Sequence, residues 1–102
     1  MSQVNVKDLL TFARGLVGRQ LHTVAQHCPF TIKDVNVKKR EVTFVTSQGN
    51  DQLASGEYLK ETCRIFSRTN SYRTTLYNKH THGPSYTLAL INQFVMSRAA
   101  YP

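Results

Sequence analysis

The side chains able to do chemistry in this chain are cations, hydroxyls and aromatics, and they cluster. Lys60, Arg64 and Arg68 recur every fourth residue, the spacing that stacks side chains along one side of a helix. Like charges in such a row repel by roughly a few tenths of a kcal/mol per pair, and a polyanion laid along them relieves that repulsion. The plainer alternative is a solvated face in which Glu57 and Glu61 pair with Lys60 and Arg64. Just downstream, Thr69, Asn70, Ser71, Tyr72, Arg73, Thr74 and Thr75 are followed by Tyr77, Asn78, Lys79 and His80. Phosphate contacts draw on these donor types, and Tyr72 and Tyr77 are of the kind that stacks on exposed bases. The competing reading is a strand with Tyr72 in the core and a polar outer face. Lys60, Arg64, Arg68, Arg73 and Lys79 are therefore the expected phosphate contacts.

The same segment admits a second chemistry. In a small metal-independent ribonuclease of toxin type, a basic cleft holds the scissile phosphate. Here His80 or His82, with Tyr72 and Arg73, would move the protons. A third cationic feature is Lys38-Lys39-Arg40, read as the tip of a hairpin that touches phosphate or simply stays hydrated. His22, His27, His80 and His82 with two cysteines do not make a metal site, because no Cys-x-x-Cys pair and no helical i, i+4 histidine pair occurs and metals need three or four converging ligands. Neither a metal nor a cofactor is expected. Asp34 and Glu41 sit where a metal-dependent nuclease places Asp and then Glu-x-Lys, but position 43 is Thr rather than Lys. No glycine-rich phosphate loop or nucleophile elbow is present.

Charge is distributed unevenly. The net charge is +7, and no Asp or Glu occurs from Thr62 onward. A cationic surface of this kind concentrates polyanions, which makes DNA or RNA the expected partner. Of the residues, 40% are apolar and 10% aromatic, a globular rather than disordered composition. The 102 residues suffice for one domain with one core. No run approaches the roughly 20 apolar residues of a membrane span, and the first residues lack a signal-peptide pattern. A soluble cytoplasmic protein is the expectation. Its cysteines, Cys28 and Cys63, are expected to be reduced and buried.

These groups must be positioned by local elements. Val6, Leu9, Leu10, Ala13 and Val17 form one apolar stripe, predicting a helix over residues 5–18 with Asn5 as N-cap, Asp8 in the first turn and Gly18 as the stop. Residues 19–28 are ambiguous between a short extended and a short helical piece. Residues 30–35 and 41–46 alternate and predict an antiparallel hairpin. Residues 47–51 are a polar loop. Ser55 is expected to cap a helix over residues 56–69, with Leu59, Thr62, Cys63 and Phe66 inward. Residues 72–77 alternate as a third strand, and 78–83 are a loop. Pro84 opens a last helix, residues 84–96, that is apolar nearly all round from Tyr86 to Met96. It is either the central core helix or the seam of a homodimer formed through Leu88, Ile91 and Val95.

The spacing of Thr23, Phe30-Thr31-Ile32, Val35, Val42-Thr43-Phe44, Ser47-x-Gly49-Asn50 and Ser85-Tyr86-x-Leu88-Ala89-Leu90 resembles short bacterial domains of undefined activity. Such domains are carried on integron or phage cassettes and near restriction–modification genes. The resemblance implies a setting of mobile DNA and no catalytic residue. Together these readings predict a single α+β domain over residues 1–102, a small antiparallel sheet packed against three helices in the order α-β-β-α-(β)-α. They predict nucleic-acid binding without catalysis. The ribonuclease and a homodimeric structural or ligand-binding module are the alternatives.

Overall fold

A computed structural model describes residues 4–77 and 84–99. The elements are α1 (Val6–Arg14), β1 (Gln20–His22), β2 (Pro29–Asn36), β3 (Glu41–Thr46), β4 (Asp51–Ala54), α2 (Gly56–Thr69), a single 3-10 turn at Thr74–Leu76, and α3 (Pro84–Ala99). The four strands form one antiparallel meander in the order β1-β2-β3-β4. The fold is α+β, as the hydrophobic patterning predicts.

Helix α1 starts where its cap dictates. The Asn5 side-chain oxygen accepts the Asp8 N–H at 2.8 Å, and Asp8 in turn accepts from the Asn5 amide at 3.0 Å, satisfying donors the helix leaves orphaned. It ends earlier than its apolar stripe predicts. Gly15 closes it onto the carbonyls of Phe12 and Ala13, and Val17 bridges to Ile32 instead of continuing the helix. Gly18, at φ 85°, donates its N–H to the Ile32 carbonyl at 2.8 Å. It ties the helix exit to the sheet rather than stopping the helix.

The ambiguous stretch resolves into β1 and a tight turn. Thr23 N–H donates to the Cys28 carbonyl, His27 N–H to the Thr23 carbonyl and Cys28 N–H to Thr23 Oγ1, all within 3.0 Å. In the hairpin β2–β3 the pairing runs Ile32↔Phe44, Asp34↔Thr43 and Val35↔Val42. Lys33 is therefore an extra residue, a β-bulge that resets the alternation so that both Ile32 and Val35 turn inward. Strand β4 starts at Asp51, the last residue of what reads as a polar loop, and runs through residues 52–54, which the sequence assigns to no element. Thr46 and Asn50 close the connection at 2.9 Å with Gly49 at φ 83°, and Thr43↔Leu53 and Val42↔Ala54 pair beyond it.

Helix α2 has the predicted bounds. Its N-terminal glycine sits in a close contact: a Cβ on Gly56 would stand 3.2 Å from the Lys39 carbonyl and 3.4 Å from Arg40 Cβ, so the helix start rests against the β2–β3 tip. Asn70 ends it in the left-handed region at φ 52°, donating to the Phe66 carbonyl. The third strand expected over residues 72–77 does not form. Tyr77 is fully buried and its hydroxyl donates to the Ser71 carbonyl at 2.5 Å. This clips the segment into a closed loop containing the 3-10 turn.

The core is one cluster running from Val4 through the inward side of the sheet to Phe94. Helices α1 and α3 contact the sheet, and α2 packs on both of them. Tyr86 of α3 meets Phe30 at 5.1 Å and Phe44 at 5.9 Å, and Phe94 meets Phe12 at 5.3 Å. The core-helix reading of α3 holds. Leu88 and Ile91, expected at a subunit seam, are buried within the single chain at 1% and 0% exposure. No helix among the described residues is long and apolar enough to cross a membrane.

Candidate nucleic-acid interface

Helix α2 buries Leu59, Thr62, Cys63 and Phe66. That choice of inward face leaves Lys60, Arg64 and Arg68 exposed on the outer one. The stripe is not uniformly uncompensated. Arg64 donates to both oxygens of Glu61, at 2.7 and 2.9 Å, and that hydrogen-bonded carboxylate raises the guanidinium's pKa further above its ordinary value. Half of the solvated-face alternative is thus realised. Lys60 and Arg68 form no ion pair among the described residues.

Arg64 and Arg68 also form the rim of a groove. With Ile65, Thr69 and Leu76 they line a cavity of about 250 Å³ between the C-terminal half of α2 and the 3-10 turn. Leu76 is 44% exposed, so its side chain offers an apolar wall opposite two guanidinium groups. Arg73 is exposed on the approach to the same turn, its backbone N–H bonded to Ser71 Oγ at 3.1 Å. Cationic groups, a hydroxyl donor and apolar surface thus line one groove, the mixture of group types that contacts to a sugar–phosphate chain draw on. Lys79 lies outside the described residues.

The tyrosines do not serve as stacking platforms. Tyr72 is half-buried with its ring 5.1 Å from Phe66, and burial, with a smaller effect from Tyr77, raises its hydroxyl pKa. Tyr77 is entirely inside. Both rings serve the core, because two anchors five residues apart hold the closed loop down. Of the ribonuclease constellation, Tyr72 and Arg73 fall within the described residues. Tyr72 lines a cavity of about 270 Å³ together with Thr23, Cys28, Thr74, Ser85 and Tyr86, and Arg73 is not among its lining residues. His80 and His82 lie outside the described residues.

Of the remaining features, Lys38, Lys39 and Arg40 are exposed at the hairpin tip, with Arg40 at φ 56°. Thr43 stands directly across from Asp34, and a threonine supplies no cation there to activate water. No group of His, Cys, Asp or Glu among the described residues is placed to hold a metal. Cys28 is exposed, against expectation: it lies just before β2, as the sequence places it, where its side chain stays at the surface. Cys63 is buried, and burial pushes its thiol up to about 12. Thr69, one of the expected phosphate donors, lines the groove, whereas Ile65 and Leu76 belong to it without having been marked by the sequence. Their signal was hidden because Leu76 reads as the inner face of a strand that does not exist. Comparison of the chain with protein-family models, curated proteins and solved structures finds no match.

Proposed function

We propose that this protein is a small cytoplasmic nucleic-acid-binding domain that grips the phosphate backbone and performs no catalysis. Lys60, Arg64, Arg68 and Arg73 are its principal contacts, with Lys79 extending them. One observation carries the reading: Arg64 and Arg68 line a single groove with the donor Thr69 and the apolar Leu76, in the stretch from Thr62 onward that is free of Asp and Glu. The resemblance to domains of mobile elements supports a DNA-related setting. Contacts of this type fix position on the strand and carry no base code, so affinity should depend on salt and hardly on sequence.

The test is fluorescence anisotropy with duplex DNA, duplex RNA and single strands across a salt series. Arg64→Ala with Arg68→Ala should weaken binding by at least roughly tenfold. For duplex DNA it should also flatten the log–log salt slope by about two, one counterion per lost phosphate contact. The melting temperature should hardly move, because the Arg64–Glu61 pair is solvent-exposed and exposed pairs contribute little. Equal affinity and equal slope in wild type and double variant would remove α2 from the interface.

A further inference from the structure

A second groove shares no residue with the first. It has a volume of about 470 Å³ and is lined by Arg19, Gln20, His22, His27, Asn92 and Gln93 over an apolar base from Leu16 and Leu21. Three separate parts of the chain contribute: the exit from α1 and β1, the turn before β2, and the middle of α3. No carboxylate is among the lining residues, so the guanidinium has no counter-ion among them. His27 occupies the left-handed region at φ 55°, which glycine adopts freely and in which Asn, Asp and His are the commonest other residues. Three hydrogen bonds between Thr23, His27 and Cys28 hold it there.

We infer that this groove binds a phosphate monoester of nucleotide size. Arg19 supplies a planar fork of donors suited to phosphate oxygens, and His22 and His27 add ring N–H donors. A monoester concentrates about two negative charges at one point, which suits donors from three side chains lining one cavity better than a diester passing through. The volume exceeds what phosphate alone fills and falls within the range of about 300–1,000 Å³ typical of small-ligand sites. Asn92 and Gln93, with both donor and acceptor atoms, face the remainder, where a sugar or base would lie over Leu21.

The experiment is an NMR titration of the full chain, following imidazole resonances assigned by single His→Asn variants. The probes are adenosine monophosphate, adenosine and a short oligonucleotide with or without a 5′-phosphate. Adenosine monophosphate, and not adenosine, should shift the His22 and His27 signals. Arg19→Ala should weaken the binding by at least roughly tenfold. His27→Gly should lose affinity while melting near wild type, because glycine accepts the left-handed backbone. Arg64→Ala with Arg68→Ala should leave nucleotide binding intact, which separates this site from the backbone-binding groove. Selective binding of the 5′-phosphorylated oligonucleotide would assign the site to a strand end, and binding of the mononucleotide alone would assign it to a free ligand. Equal shifts from adenosine and its monophosphate, with no discrimination by the oligonucleotide's phosphate, would overturn the inference. So would an Arg19→Ala variant that binds like wild type.

Discussion

The two cysteines occupy opposite environments, and their reactivity should separate accordingly. A thiol reacts as its thiolate. Cys28 is exposed, whereas burial of Cys63 in α2 holds its proton to about pH 12. A native thiol count near neutral pH should therefore find one fast group, and a Cys28→Ser variant should find none until denaturant is added. Two fast groups in the native chain would contradict the buried placement. Cys63 also couples folding to alkaline pH. Between its ordinary value of 9.0 and about 12, the unfolded chain releases the proton while the folded chain keeps it. The unfolded state then binds fewer protons, so stability falls as pH rises. Tyr72 and Tyr77, both raised by burial, act in the same direction above their ordinary value of 10.0. The melting temperature should decline from about pH 9 upward, and Cys63→Ala should remove the first part of that decline. An unchanged slope between pH 9 and 10 in Cys63→Ala would show that another group is responsible. At this scale the sequence misleads where a neighbour decides the outcome. Cys28 stays at the surface just ahead of β2, and the Tyr77 hydroxyl finds the Ser71 carbonyl inside.

Among the elements, legibility follows the strength of the local pattern. The stripe Leu59, Thr62, Cys63 and Phe66 repeats at helical period between Ser55 and Asn70, so α2 is readable to its ends. The β2–β3 hairpin is readable because Val42 and Phe44 alternate cleanly. Strand β4 is not, since Asp51, Gln52 and Ala54 have no intrinsic leaning to extended structure and are recruited by pairing with β3. The candidate groove inherits this limit: its arginines are visible on α2, while its Leu76 wall depends on a loop closure that no periodicity encodes. The bulge at Lys33 offers a direct test of how register is set. Deleting Lys33 leaves Ile32 and Val35 both facing inward and removes an exposed ion pair with Asp51, 2.8 Å long. Such a pair adds little, so the deletion variant should fold and melt near wild type. Deleting Thr31 instead inverts the strand between Phe30 and Ile32, two buried residues, and turns apolar side chains to water. Circular dichroism melts should show a cooperative transition for the first variant and none for the second. Loss of folding in both would mean that the bulge itself is required.

For the whole molecule, the division of labour is between a core organised around α3 and a surface whose cations have few partners. Leu90 is fully buried, and Phe94 packs on Phe12 with the Arg98 guanidinium 5.4 Å from its ring centre. Truncating a large side chain in such a core costs about 2–5 kcal/mol, against a total stability of about 5–15 kcal/mol for a domain. Leu90→Ala with Phe94→Ala should therefore leave the chain unfolded or insoluble, and a double variant melting like wild type would show that the core lies elsewhere. The face first read as a dimer seam makes a sharper distinction. Ile91 is fully buried within one chain, whereas Met96 is 59% exposed on the same helix. Ile91→Arg would place an unpaired guanidinium in the apolar interior, at a cost of several kcal/mol, so it should unfold the protein. Met96→Arg places the same charge in water and should leave the fold intact. The pair separates a core role from an interface role because both substitutions add the same group to one helix and differ only in what surrounds it. Circular dichroism with sedimentation measures both. A folded, monomeric Ile91→Arg protein beside a dimeric wild type would place this side of α3 against a second chain after all, which the burial of Leu88 and Ile91 inside one chain argues against.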